Sequence, residues 1–542
     1  MAVSSPADWV VHKFGGSSVA DADCFRRVAT ILDAWAPSRM GVVLSACKGV
    51  TDGLLSLVAK AEQRDPAWRD GLVALRQRHE TIATSLLPKA AIDAYLASFD
   101  RDLQDLEGIL QAVSLTRSAS RNVTDLISGY GEIWSTRLFR EFYATSGKRT
   151  GEVRWLDARE VVVVEWGPLG PMVQWQESQH RIQAAIPAKF EGTLIITGFI
   201  AADTRGVQTT LGRNGSDFSA SIFGSLLDAR EIHIWTDVDG VLSADPRRVP
   251  DAQVIDSLSY NEAMELAYFG AKVIHPQTMA PAVGREIPIW IRNTFAPDHP
   301  ATLICARPTS ALAVKGITTI ENIALVNLEG AGMIGVPGTA HRLFGALREE
   351  SISVVLISQG SSEHSICCAV PKEQADRAVD VVRAAFSREL ADGQIQSVEV
   401  DRDLAILAVV GDGMAGERWR RGGVERAAER LADRRAGGGN DNGFTHEIFL
   451  PVSVQRVSAH ILQSDPFGGE RGLGFAFDLD RDIGCGLPGT IRALRHIRDG
   501  EAAADLAARF HWRHEAHLVE AIVYAHARAL DARHRLIGHN TE

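Results

Sequence analysis

The chain has 542 residues, 45% of them hydrophobic and 23% charged, with a formal net charge of −11. At roughly 100–200 residues per domain this length calls for three or four units, and the acidic balance argues against nucleic acid as the main partner. The longest apolar runs are strand-sized, far short of the ~18–20 residues that span a bilayer, so no membrane association is expected. The N-terminal text MAVSSPADWVVHKF lacks the charged and apolar regions of a signal peptide, and a cytoplasmic protein is expected. Cysteines at 24, 47, 305, 367, 368 and 485 form no CxxC pair. Neither a disulfide framework nor a zinc site follows, and no metal ligands are assigned.

Val10–Phe14 (VVHKF) reads as a strand, the following Gly-Gly-Ser-Ser as a turn, and Ala20–Trp35 as a helix with Phe25, Val28, Ala29 and Leu32 at helical spacing. Gly41–Ala46 is a second buried strand. Gln77–Thr116 is helical, interrupted at Pro88. Thr193–Ile200, Glu231–Val238 and Pro288–Arg292 are further strands. Strands separated by helices predict a mostly parallel sheet covered on both faces, an α/β fold. After about Ala301, strands at Ile323–Leu328, Ser353–Gln359 and Ser365–Val370 combine with helices at Thr339–Glu350 and Glu373–Leu390. That βαββα order is a ferredoxin-like α+β module, and Leu404–Gly411 opens what reads as another. Beyond Gly416 the text is rich in arginine, glycine and histidine and contains no lysine, so residues 417–542 are not read as a continuation of that module.

Four stretches carry chemistry. Lys13-Phe14-Gly15-Gly16-Ser17 places a cation beside glycines whose backbone can approach a phosphate; a plain turn after an edge strand fits the same text. No GxxxxGK[ST] occurs, which excludes a P-loop. In Thr210–Asp217 (TLGRNGSD), Arg213 can grip a carboxylate in a bidentate pair, and Asp217 can hold an ammonium group or tune a lysine. A helix cap made by Ser216 and Asp217 is the structural alternative. Thr236-Asp237-Val238-Asp239-Gly240, with Arg247 shortly after, stands where a parallel strand ends, the place for ribose, adenine or hydrated Mg²⁺; an Asp-Gly turn is the bland reading. Lys272, near Gly270, faces either a nucleotide or solvent, and His275 before Pro276 reads as structural.

Taken in order, KFGGSSVAD, VVLSACKGVTD, GYGE, TGFIA, TTLGRNGSDFSA, IWTDVDGV, DPR and FGAKVIHP resemble the successive signatures of the aspartate kinases of the amino acid kinase superfamily. The wording is most similar to the kinase half of the bifunctional aspartokinase–homoserine dehydrogenases of the threonine-linked type, and the resemblance runs from about residue 10 to about 415. It implies a three-layer α/β/α kinase domain over residues 1–300, an ACT domain over 312–395 and the start of a second, incomplete ACT domain at 400–416. By that resemblance Lys13 and Asp217 are catalytic, and Ser45, Thr51, Glu132, Arg213 and Asp217 bind L-aspartate. Lys13, Gly15, Gly16, Ser17, Thr236, Asp237, Arg247 and Lys272 bind ATP with Mg²⁺. Leu242 departs from the tyrosine that relatives often carry near the adenine. Gln359 would contact an amino-acid effector, threonine ahead of lysine, and ACT modules would join copies of the chain into a homo-oligomer. A ligand-free dimerisation sheet is the plainer reading of that module.

The implied reaction is phosphorylation of the aspartate side chain to 4-phospho-L-aspartate, the first step towards threonine, lysine and methionine. Alternatives are a non-catalytic amino-acid sensor, a truncated bifunctional enzyme, or a kinase of the same fold acting on glutamate, carbamate or UMP. The tail contains Gly484-Cys485-Gly486-Leu487-Pro488-Gly489, but a charged stretch precedes it and too little chain follows for a dinucleotide fold, which argues against NAD(P). The tail reads either as an unrelated extension, helical over 502–532, or as text from a shifted reading frame, and the abrupt change at 416 favours the latter.

Overall fold

The computed structural model describes residues 9–35, 37–146, 148, 151–168, 170–269, 274–310, 312, 314–359 and 363–412, and the backbone of three later strands at 442–449, 458–465 and 522–523. Two compact units result: Met1–Ser243 with Asp251–Ser310, and Ala244–Pro250 with Ala311–Glu542.

The first unit is built on an eight-stranded sheet. Its strands are β1 (Trp9–Phe14), β2 (Arg39–Leu44), β3 (Glu152–Leu156), β6 (Gly192–Thr197), β9 (Glu231–Thr236), β10 (Ser257–Ser259), β11 (Ile289–Asn293) and β12 (Thr302–Cys305). They lie in the order β10-β12-β11-β9-β1-β2-β6-β3, every pairing parallel except β11 with β12. All six residues of β1 and of β6 are buried, including His12 and Lys13 of β1, as expected for central strands covered on both faces. Two small hairpins lie beside the sheet: β4 (Val164–Gly167) with β5 (Gly170–Val173), and β7 (Ile200–Ala202) with β8 (Gln208–Thr210). The run expected as one strand from Thr193 to Ile200 is therefore two, broken where Phe199 takes a left-handed φ of 66°.

Helices cover the sheet. After a short 3₁₀ turn at Gly16–Val19, α1 (Ala22–Asp33) starts later than the expected Ala20 because Asp21 caps it, accepting from Cys24 N. A helical layer follows: α2 (Val50–Glu62), α3 (Trp68–Leu86), α4 (Lys89–Thr116), α5 (Arg121–Ser128) and α6 (Tyr130–Ser146). Pro88 stands at the N-cap of α4, so it separates two helices as its fixed φ and missing N–H require. Trp68, Phe99, Trp134, Phe139 and Tyr143 pack with Phe14, Leu44 and Trp235 in one core. The short α7 (Ala158–Val161) and α8 (Trp175–Ala185), and then α9 (Gly215–Leu226), α10 (Tyr260–Tyr268) and α11 (Pro276–Val283), complete the unit.

The second unit is an antiparallel sheet with helices α12 (Thr339–Glu349), α13 (Ala375–Ala385) and α14 (Ser387–Ala391). Its described strands are β13 (Gly316–Glu329), β14 (Leu356–Gln359), β15 (Ser365–Pro371), β16 (Ser397–Val410), β17 (Asn442–Phe449), β18 (Ser458–Asp465) and β19 (Ile522–Val523). They lie in the order β14-β15-β13-β16-β18-β17-β19. Leu343, Leu347, Val379, Val382 and Phe386 pack on Val326, Leu328, Ile366, Cys368 and Val370. The expected strand Ile323–Leu328 is the second half of the 14-residue β13, whose ladder to β16 shifts register between Ile320 and Ile323. β16 runs unbroken across residue 400. The expected helix over 502–532 and the GxGxxG text lie outside the described residues.

Candidate active site

Because β9, β1, β2 and β6 are parallel, their carboxyl ends meet at one edge: Thr236, Phe14, Leu44 and Thr197 are their last residues. That edge is where open α/β sheets bind ligands. Lys13, one residue before the end of β1, faces Val43 and Ile234 in register and is only 8% exposed. Its Nζ lies 2.6 Å from Asp217 Oδ1. Asp217 stands in the first turn of α9, whose N-cap is Asn214 in the left-handed region, with no side-chain cap bond. The Ser216–Asp217 cap therefore does not form; Asp217 instead meets a lysine far away in sequence.

The turn after β1 is drawn tightly into this edge. Gly15 N donates to Trp235 O at 3.4 Å, and Lys48 N donates to Gly16 O at 3.0 Å. A Cβ on Gly16 would come within 3.0 Å of the Ala46 carbonyl, and one on Gly15 would lie 3.5 Å from Lys13 Nζ, so the backbone approaches the lysine as a phosphate loop needs. Ser18 and Thr294 share a hydroxyl hydrogen bond at 2.7 Å, tying the turn to the end of β11. No motif in the text pointed to Thr294.

Glu132 stands in the first turn of α6 and is 3% exposed. Its Oε1 accepts from Ala46 N at 3.1 Å, while Oε2 is buried without a hydrogen-bond partner among the described residues. Burial pushes its carboxyl up to about 8, against the smaller opposing pull of the Ala46 N–H. Ser45 follows β2 with its N on Phe14 O (3.1 Å) and its O accepting from Ser135 Oγ (2.8 Å). Thr51 lies in the first turn of α2, after Gly49 at φ 77°. Gly198 brings α9 to the same place: its N donates to Leu44 O at 3.0 Å, and its Cβ position lies 3.0 Å from the Ser216 side chain. Arg213 is exposed and makes no ion pair among the described residues.

On the other side of β1, Thr236 Oγ1 donates to exposed Asp237 (3.2 Å), and Asn293 Nδ2 donates to Asp239 (2.7 Å). Arg247 is 86% exposed, pairs with Asp245 at 2.7 Å and belongs to the short segment grouped with the second unit. Lys272 lies outside the described residues. His275 caps α11, its Nδ1 accepting from Gln277 N, which is a structural role. Gln359 ends β14, the edge strand of the other sheet, and is exposed.

A profile of the Amino acid kinase family matches residues 8–293, more than half of the chain, and an ACT domain profile matches 326–386. The lysine-sensitive aspartokinase 3 of Escherichia coli is 33% identical over 410 residues, covering 75% of this chain and 88% of that one. The chain belongs to the amino acid kinase family, among the aspartokinases. The bifunctional aspartokinase/homoserine dehydrogenase 2 of Arabidopsis thaliana, a chloroplastic protein, is 40% identical over 414 residues. The chain spans 45% of that relative's length, about half of it. The crystal structure of E. coli aspartokinase III in complex with aspartate and ADP aligns with a TM-score of 0.66 at 29% identity, covering 84% of this chain and 96% of that one. Among the described residues no helix is long and apolar enough to cross a membrane.

Proposed function

We propose that this chain transfers the γ-phosphoryl group of ATP to the side-chain carboxylate of L-aspartate, giving 4-phospho-L-aspartate and ADP. The observation that carries the reading is the Lys13–Asp217 ion pair at the carboxyl edge of the parallel sheet, beside a buried carboxylate with one unpartnered oxygen, Glu132. The E. coli relative is named for its complex with aspartate and ADP, the two ligands this edge would hold.

The chemistry asks little of a base. The β-carboxylate is ionised at neutral pH, with an ordinary pKa of about 4. One of its oxygens attacks the γ-phosphorus, the bond to the ADP oxygen breaks, and no proton moves. The barrier lies in bringing two anions together, which positioned cations and backbone N–H groups lower. Lys13 would neutralise the transferring phosphoryl group, held in place by Asp217, with Gly15, Gly16 and Ser17 lining the phosphates. Arg213 would take the α-carboxylate and Glu132 the α-ammonium, with Ser45 and Thr51 beside them. Thr236 and Asp237 would face the nucleotide, with Arg247 and Lys272 assigned to it by the family's pattern. ATP-borne Mg²⁺ takes one or two protein carboxylates and keeps several waters; exposed Asp237 and half-buried Asp239 fit that demand.

An amino-acid effector would bind at the ACT module near Gln359, and copies of the chain would associate through that module. The threonine-linked wording of the kinase motifs favours threonine; the lysine-sensitive E. coli relative favours lysine. A cytoplasmic location stays part of this proposal. Hydroxylamine trapping of the acyl phosphate, with ATP and aspartate and with each effector in turn, tests the whole reading. Formation of aspartyl hydroxamate is expected; a purified, folded chain that forms none would overturn it.

A further inference from the structure

Between α5 and the loop bearing Arg213 lies a polar clasp, buried at Gln208, Thr209 and Thr210 and half-buried at Asp125, that the reaction itself does not use. Thr209 Oγ1 donates to Asp125 Oδ2 at 3.1 Å and Thr210 Oγ1 to Asp125 Oδ1 at 3.3 Å, so one carboxylate takes two consecutive hydroxyls. Gln208 Nε2 donates to the carbonyls of Asp125 and Leu126 at 3.0 and 3.1 Å. Gln208 Oε1 accepts from Arg159 Nη1 at 2.6 Å, and Arg159 in turn holds Asp157. Trp166 Nε1 donates to Thr209 Oγ1 at 2.8 Å. Gln208, Thr209 and Thr210 are 8%, 7% and 5% exposed.

Burying this many polar groups is costly unless each is satisfied. Here both ends of the Gln208 amide, both threonine hydroxyls and both Asp125 oxygens have partners. An apolar contact would seat the β7–β8 hairpin with less desolvation; what a satisfied polar network adds is a single fixed geometry. Its place in the chain says what is being fixed. Asp125 lies in α5, which runs through Gly129 directly into α6 and Glu132; a Cβ on Gly129 would fall 2.3 Å from Gln208 Nε2, so backbone and side chain meet there. Thr210 ends β8 and leads directly to Leu211, Gly212 and Arg213. The clasp thus joins the short lead to Glu132 to the short lead to Arg213.

We propose that Asp125, Gln208, Thr209 and Thr210 are positioning residues that hold Glu132 and Arg213 in register with Lys13, and so select a four-carbon over a five-carbon amino dicarboxylate. The inference rests on the aspartokinase reading above. The two charges on the substrate's α-carbon are anchored by Glu132 and Arg213. Where those anchors stand relative to Lys13 decides which side-chain length delivers a carboxylate to the phosphate, and one extra methylene overruns it.

The test compares wild type with Thr209→Val/Thr210→Val, which keeps shape and removes both hydroxyls, and with Thr209→Ser/Thr210→Ser, which restores them. Kinetics with aspartate, glutamate and ATP are measured alongside Tm. In the valine variant the KM for aspartate should rise about tenfold, and the aspartate-over-glutamate ratio of kcat/KM should fall by about the same factor. The KM for ATP should stay unchanged, and the serine variant should recover both values. A lower Tm with an unchanged aspartate-over-glutamate ratio would overturn the clasp. Should the double variant not fold, Thr210→Val alone, which leaves Thr209 with Trp166 and Asp125, is read by the same criteria. Wild type is assayed first: with no aspartate turnover the kinase reading falls and takes the clasp with it, whereas turnover with an unmoved ratio removes the clasp alone.

Discussion

The two sheets of this chain handle polar residues in opposite ways. In the first unit the central strands β9, β1, β2 and β6 are parallel, so their carboxyl ends collect at one edge, and Lys13, Ser45, Glu132, Asp217 and Thr236 all gather within a turn or two of it. In the second unit the described strands are antiparallel, so successive strand ends alternate between edges. The face of β13 and β15 that packs on α12 and α13 is apolar, buried polar residues such as Asn327 stay isolated from one another among the described residues, and the exposed polar residue singled out there, Gln359, sits on the edge strand. Parallel pairing concentrates unlike charges into one buried site; antiparallel pairing leaves ligand recognition to a rim.

The sharpest way to break that comparison is at its strongest point. Lys13→Ala should lower kcat by roughly a thousandfold while changing the KM for aspartate far less, because in the proposed reaction the lysine would act on the transferring phosphate. Equal loss in both parameters, read from steady-state kinetics, would place Lys13 with the substrate instead.

Glu132→Gln should raise the KM for aspartate by about a hundredfold, since on the proposed reading the substrate ammonium would lose its buried counter-charge. The carboxyl is held up at about 8 by burial, so an arriving ammonium must displace a proton, and affinity for aspartate should improve as pH rises from 7 towards 8. The stability effect has the opposite sign. Between the ordinary 4.5 and about 8 the folded state holds more protons at this site than the unfolded one, so its contribution is full below 4.5 and is lost as pH rises. Wild-type Tm should fall relative to Glu132→Gln between pH 5 and 8; parallel Tm profiles would refute the assignment.

A group in the helical layer away from this edge should move stability alone. His79 is fully buried against Phe99 and Trp134, with Nδ1 2.9 Å from the Leu75 carbonyl, to which it donates. Burial lowers its pKa from 6.5 to about 4. The folded state then binds fewer protons between those values, so stability falls as pH drops from 6.5 towards 4, by up to about 3 kcal/mol. His79→Phe should flatten that acid limb in chemical denaturation without altering kcat. At the other sheet, Gln359→Ala should weaken amino-acid inhibition by about tenfold, one lost polar contact, with kcat unchanged; an unaltered inhibition curve would remove Gln359 from the effector site.

Much of this was legible in the text, and its gaps have physical causes. The β1 strand and the glycine turn were readable because Val10, Val11 and Phe14 form a short apolar run and Gly15 and Gly16 punctuate its end. The helical layer was only half visible: a helix is read only from Gln77 on, whereas α2 and the first turns of α3 appear in the structure, packed in one core with Phe99 and Trp134. The division of Thr193–Ile200 into two strands turned on a single left-handed residue, Phe199, whose type gives no warning of it. Asp125 offered no signal, since a lone carboxylate in a polar helix looks like any solvated one.

The sequence by itself determined the alternation of elements, the residue types available for phosphate and zwitterion binding, and the break in character near 416, because these depend only on local pattern and composition. Only the tertiary structure decided that Asp217 meets Lys13 rather than capping its own helix, that Glu132 is stripped of water, and that Thr209 and Thr210 share Asp125. Ion pairing, desolvation and clasp formation are set by distances between residues remote in the chain, and strand order is what fixes those distances.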